Sequence, residues 1–187
     1  MRSVIGIDPS LTATGVAWPD GTTEVIKWPG KGVERLAEVA WWVETTLLHR
    51  GYDPAIQRVH DVLVVIEGYS MGSARQQSHA HGLGELGGVL RYTLHRFGAP
   101  FLDVPPACVK KYATGKGNAN KDLVRDAARD RLGLEAGVSS DECDAAWLRQ
   151  IGLAIVDTPA AVKVPQTHLA ALDKLDIVGA LYRGEDA

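Results

Sequence analysis

Two runs of uninterrupted apolar residues organise the chain, and each ends on an acid. Val4-Ile5-Gly6-Ile7 runs into Asp8, and Val62-Leu63-Val64-Val65-Ile66 runs into Glu67. The first predicts a strand over residues 3–8. The second, over 61–67, is too apolar to alternate, which predicts a central strand buried on both faces. Pro9-Ser10-Leu11-Thr12 reads as a turn into a second strand, Gly15-Val16-Ala17-Trp18. Pro19-Asp20-Gly21 turns again into a third, Glu24-Val25-Ile26-Lys27-Trp28, so the opening is an antiparallel meander. Val33, Leu36, Ala37, Ala40, Val43 and Leu47 then recur at helical spacing.

The glycine- and serine-rich stretch from Gly68 to Gly82 reads as a mobile loop. Leu83, Leu86, Leu90, Leu94 and Phe97 define the next helix face. Gly84, Gly87 and Gly88 interrupt that helix at a cost in propensity, and they permit close backbone packing, including against another subunit. Phe101-Leu102-Asp103-Val104 predicts a fifth strand, stopped by Pro105-Pro106. Helices follow near 107–113, 120–132 and 140–156. Pro159 and Pro165 bracket a linker, and Leu169, Leu172, Leu175, Val178 and Leu181 predict a last helix over 167–182. This order predicts an α/β fold with a five-stranded mixed β-sheet flanked by α-helices. The divisions are a domain over 1–157 and a linker with a helical extension over 158–187. A right-handed crossover places the strand ending in Glu67 beside the strand ending in Asp8. Their C-terminal ends then lie together, where open α/β sheets bind ligands.

Length and composition fit that picture: 187 residues, 45% hydrophobic and 23% charged, is enough for one domain with a core. The longest apolar runs are of strand length, so no membrane span is expected. Met1-Arg2-Ser3 leads straight into a strand without the pattern of a signal peptide. Cys108 and Cys143 lack metal-type spacing and read as reduced thiols of a cytoplasmic protein. The net charge of -3 does not advertise a nucleic-acid binder. Its distribution changes the reading, because Lys110, Lys111, Lys116, Lys121, Arg125, Arg129 and Arg131 face only Asp122, Asp126 and Asp130 in that stretch. The loop after Glu67 adds Arg75, His79 and His81 with no acid. A basic surface around an acidic centre is compatible with the overall sign.

Asp141 and Asp144 open the late helix and share a stripe with Leu148, Ile151 and Ile155. Taken singly, these acids have plain explanations. Asp8 before Pro9 reads as a turn acid. Asp141 reads as a first-turn acid, with Ser139 and Glu142 spaced as a capping box. Asp144 is harder to explain away, because its spacing puts it on the buried stripe. Together, two acids at strand ends and two on one helix face fit a pair of Mg²⁺ ions roughly 4 Å apart, suited to in-line displacement at phosphorus. His79 and His81 lack further ligands for a metal site of their own. Of Trp41-Trp42, one ring packs in the core and the other stays partly exposed. Thr114 to Lys121 forms a glycine loop feeding a helix, able to meet phosphate through its amides. The Walker signature is absent, and Lys110 and Lys121 read either as phosphate clamps or as solvated surface lysines.

These blocks resemble the RuvC family of Holliday-junction resolvases, in the RNase H-like superfamily. Gly6-Ile7-Asp8-Pro9-Ser10 with Thr14-Gly15 is similar to the family's opening motif, and Val65-Ile66-Glu67 to its second acidic strand. Val109-Lys110 with Gly115-Lys116-Gly117-Asn118-Ala119-Asn120-Lys121 is similar to its basic block, and Asp141-Glu142-Cys143-Asp144-Ala145-Ala146 to its closing motif. The resemblance covers residues 3–156. It departs at Ser10, where glycine is common, in the loop after Glu67, which lacks a phenylalanine, and in the tail after Asp157.

The resemblance implies an RNase H-like fold and a crossover junction endodeoxyribonuclease leaving 5′-phosphate and 3′-hydroxyl ends. Asp8, Glu67, Asp141 and Asp144 would hold two Mg²⁺ ions, with Mn²⁺ as a substitute, and Lys121 would join them in catalysis. Lys110, Lys111, Lys116, Lys121 and Arg75 would contact DNA, with Tyr69 or Met71 as a wedge at the junction centre. The expected partners are four-way or other branched DNA and a second copy in a homodimer. No motor partner is legible. The rival readings are a non-catalytic branched-DNA binding protein, an RNA–DNA hybrid nuclease and, from Asp8-Pro9-Ser10 with Gly15, an actin-like ATPase.

Overall fold

A computed structural model describes residues 3–47, 62–69 and 77–176, with the side chains of 77–80 left out. Strands β1 (Ser3–Asp8), β2 (Thr14–Ala17) and β3 (Thr23–Ile26) form the expected meander. Helix α1 (Val33–Trp42) continues as a π-helical turn over Val43–Leu47. Strand β4 (Val62–Glu67), helix α2 (Gln77–Arg96) and strand β5 (Phe101–Val104) follow. Then come α3 (Pro106–Thr114), α4 (Lys121–Leu132) and α5 (Ser140–Ile155). A short helix α6 (Gln166–Leu169) and a 3₁₀ turn (Leu172–Lys174) close the described chain.

The sheet has five strands in the order β3-β2-β1-β4-β5. β1 is antiparallel to β2 and parallel to β4, which is parallel to β5. Alternation along the inner strands sorts the core into two layers. Val4, Leu63, Val65, Leu102 and Val104 pack with Tyr112, Val124, Trp147, Leu148 and Ile151 from α3, α4 and α5. Ile5, Ile7, Val62, Val64 and Ile66 pack on the other face with Val39, Trp42, Leu86, Leu90 and Leu94 from α1 and α2. Both faces of β1 and β4 are therefore covered, which is why those strands read as continuous apolar runs. Helix ends follow local chemistry. Gly115 and Gly133 end α3 and α4 in the left-handed conformation. Asn120 caps α4 by accepting from the Leu123 amide at 2.9 Å.

Several expectations need correction. The helix before β5 starts at Gln77, inside the stretch read as a loop to Gly82. Burial of Leu86, Leu90 and Leu94 on the sheet outweighs the glycine penalty and carries the helix back through the polar residues. Phe97, expected on that face, lies past the helix end and is 39% exposed. In α1, Val33 is 81% exposed, and the buried residues are Val39, Trp42, Val43 and Leu47. Val43 and Leu47, in the π turn, are buried as the periodicity predicts. As expected of that pair, Trp42 is buried while Trp41 stays exposed. Over 167–176 a continuous helix is replaced by α6 and the 3₁₀ turn. There the chain bends so that His168 Nδ1 meets the Tyr112 carbonyl at 2.8 Å and Ala171 is buried. The rest of that expected helix, 177–182, lies outside the described residues. The segment after Asp157 packs onto the main core through Val162, Val164, Leu169 and Leu172, and Gln150 accepts from the Val162 amide at 2.8 Å.

Candidate active site

Strand parity places the first two acids. Ile7 is registered with Ile66, so Asp8 and Glu67 follow side by side at the ends of β1 and β4. Asp8 shares its face with Val4, and Glu67 shares its face with Leu63 and Val65, the layer covered by α5. The N-terminal turn of α5 brings the other two. Ser139 and Glu142 form a complete capping box, the serine amide and hydroxyl both donating to Glu142 Oε2 at 3.1 and 2.8 Å. Glu142 also accepts from Thr23 on β3 at 3.0 Å through Oε1. The start of α5 is thus fixed both to itself and to the sheet.

The helix lies very low over the strands. A Cβ at Gly6 would overlap the Ala145 carbonyl, and one at Gly15 would overlap the Asp141 carbonyl. Glycine at these two positions lets the backbone of α5 approach β1 and β2 closely enough to carry Asp141 and Asp144 over Asp8.

The electrostatics show that the acids face one space. Burial holds the Asp8 carboxyl well above the usual carboxylate range, with Glu67, Asp144 and Asp141 adding to the effect. Glu67 is pushed up to about 7 by burial and then by Asp144, while a hydrogen bond with Asp8, Lys110 and Lys121 pull the other way. Asp144 is pushed up to about 6 by burial, against Lys121 and with Asp141. Lys110 sits on α3 and Lys121 is the first residue of α4. A lysine at a helix N-terminus opposes the macrodipole. Its influence on Glu67 and Asp144 explains what that placement achieves.

Oxygen donors alone, in a cluster that resists losing its protons, fit hard divalent cations. Among the described residues no three acid, thiol or imidazole groups are already closed around one point. The carboxylates are coupled through space but not converged. The lysines that do not act on the acids lie elsewhere. Lys111 donates to the Ala170 carbonyl at 3.4 Å, and Lys116 is exposed on the glycine loop. Tyr69 follows Glu67 by two residues, half exposed, with its hydroxyl donating to the Gly84 carbonyl at 3.2 Å. Met71, Arg75 and the side chain of His79 lie outside the described residues. Arg91 was not singled out by the sequence, yet its Nη2 donates to the Glu67 carbonyl at 3.2 Å. The available signal was a cation in the middle of a helix face otherwise rich in glycine and leucine.

An acid pair at the carboxyl ends of adjacent strands, under a helix that adds two more, on a mixed sheet of this order defines an enzyme of the RNase H-like fold. The model of the family described as crossover junction endodeoxyribonuclease RuvC matches residues 4–160. The chain belongs to the RuvC family. A crossover junction endodeoxyribonuclease RuvC from Roseiflexus sp. (strain RS-1) is 28% identical over 158 residues, spanning 84% of this chain and 90% of the relative. One from Synechococcus sp. (strain CC9311) is 27% identical over 146 residues, spanning 74% and 89%. The structure of Thermus thermophilus RuvC in complex with a Holliday junction substrate superposes with a TM-score of 0.60 at 26% identity, covering 87% of this chain and 99% of that one. Nucleases of this family are metal-dependent. No helix among the described residues is long and apolar enough to cross a membrane.

Proposed function

We propose that this chain resolves Holliday junctions by nicking symmetry-related strands, using Mg²⁺ held by Asp8, Glu67, Asp141 and Asp144. The observation that carries the reading is the register that sets Asp8 beside Glu67 beneath Asp141 and Asp144, with Lys110 and Lys121 acting on the same acids. Bound cations supply Lewis acidity at the scissile phosphate and offset the charge of the leaving 3′ oxygen. Asp8 would hold a cation as a deprotonated carboxylate. Lys121 offsets charge that develops on the phosphate in the transition state, and Lys110 holds the same phosphate group. Exposed Lys116 contacts the DNA backbone nearby.

A homodimer supplies two such centres for two strands. Gly84, Gly88 and Tyr92 recur every fourth residue along α2. A Cβ at either glycine would meet nothing within 4 Å, and Tyr92 is 65% exposed. That open stripe fits a second copy. The test is cleavage of a labelled immobile four-way junction in Mg²⁺ or EDTA, beside fork, flap and linear duplex. Paired symmetric nicks that need the cation and spare the duplex are expected. Tight binding with no nicking in Mg²⁺ or Mn²⁺ would replace this reading with a non-catalytic binder.

A further inference from the structure

Arg91 reaches from α2 to the end of β4, and its side chain is only 12% exposed. Its donors go to several elements at once. Nε meets Asp103 Oδ1 on β5 at 2.8 Å, and Nη2 meets the same oxygen at 2.6 Å. Nη2 also reaches the Glu67 carbonyl, while Nη1 donates to the Gly87 carbonyl at 2.9 Å and to the Tyr69 hydroxyl at 3.2 Å. The guanidinium carbon stands 4.5 Å from the centre of the Tyr69 ring. Gly87 makes room for this assembly: a Cβ there would come within 2.7 Å of both the Tyr69 hydroxyl and Arg91 Nη1.

An arginine tied to Asp103 alone would be a half-exposed ion pair of little consequence. This one anchors the backbone of a site acid and the ring two residues later. Tyr69 nevertheless remains 49% exposed, and a cleft lined by Pro9, Glu67, Tyr69, Leu83 and Arg91 opens beside it. A ring backed on one side by a cation offers its other side for stacking, and bases stack on such rings without regard to sequence.

We propose that Arg91 is a positioning residue. It clamps the Glu67–Tyr69 corner so that a nucleobase stacked on Tyr69 sets the neighbouring phosphate in line with the Glu67 carboxylate. The proposal rests on the resolvase reading and deepens it. Lysine keeps the charge but not the planar fork that spans these acceptors. Most junction affinity comes from phosphate contacts and is indifferent to this clamp.

Arg91→Lys should therefore lower kcat about ten- to a hundredfold through misplacement, while junction affinity changes much less. Asp103→Asn, at a half-exposed anchor, should lower kcat in the same direction and by less. A second readout needs no cleavage. In an Asp8→Asn background in EDTA, 2-aminopurine at the junction centre should be quenched by stacking. Adding Arg91→Lys should relieve that quenching at a temperature where both variants remain folded. Wild-type kcat and unchanged quenching in Arg91→Lys would overturn the proposal. So would a kcat loss that follows a lowered melting temperature with quenching intact. A wild-type chain that neither binds nor cuts the junction would instead overturn the resolvase reading beneath it.

Discussion

At Asp8, burial and three neighbouring acids all raise the proton affinity of the carboxyl. Glu67 near 7 and Asp144 near 6 also lie above the ordinary values of 4.5 and 3.8. Groups shifted upward bind protons more tightly in the folded chain than in the unfolded one. Their stabilisation is complete below the ordinary values and is lost as pH rises through 6 and 7. Cation-free protein should thus melt at progressively lower temperature from about pH 5 to pH 8, as followed by circular dichroism. Mg²⁺ should recover most of that loss at the alkaline end, because ligand binding to the folded state adds stability. Asp8→Asn should abolish cleavage yet raise the cation-free melting temperature at pH 8 by a few degrees. An unchanged pH slope in that variant would count against the coupled cluster. At this scale the acids were legible, because a carboxylate that ends a buried apolar run has no reason to be there for packing. Arg91 was not, because its partners are brought together by the chain path after Glu67, which no local pattern specifies. Tyr112 offers a simpler test. Its hydroxyl is buried with no hydrogen-bond partner among the described residues, so Tyr112→Phe should leave the melting temperature unchanged or raised.

Among the elements, α5 does most to define the site, and Gly6 and Gly15 set its height over the sheet. Gly15→Ala forces the first turn of α5 away from β2 at a cost of about 1–3 kcal/mol. It moves Asp141 directly, so cleavage should fall by more than the loss of folded protein explains, measured as kcat beside a thermal melt. Element type was well signalled by periodicity, and the capping box at Ser139 marked the start of α5. The boundaries that escaped were those decided by tertiary packing. The start of α2 at Gln77 depends on leucines nine or more residues further on. Close approach at Gly6 and Gly15 was also hidden, since a glycine in a strand does not announce what lies above it.

For the molecule as a whole, the two core layers make the sheet the common wall of everything, and the tail beyond Asp157 closes one side of it. Ending the chain at Asp157 would uncover the side of α3 where His168 meets the Tyr112 carbonyl, along with contacts of Val162, Val164 and Leu169. Such a truncation should melt several degrees lower and aggregate more readily, while retaining metal-dependent nicking at low temperature. The sequence, whose prolines read as a linker, left capping the domain as one of several roles for that tail. The late position of α5 has a further bearing on synthesis. Asp8 and Glu67 leave the ribosome well before Asp141 and Asp144, and the layer that α5 must cover stays open until then. Folding from the N-terminus during translation therefore yields a nascent chain that holds only half of these acids until α5 is made, so the four-acid cluster assembles last.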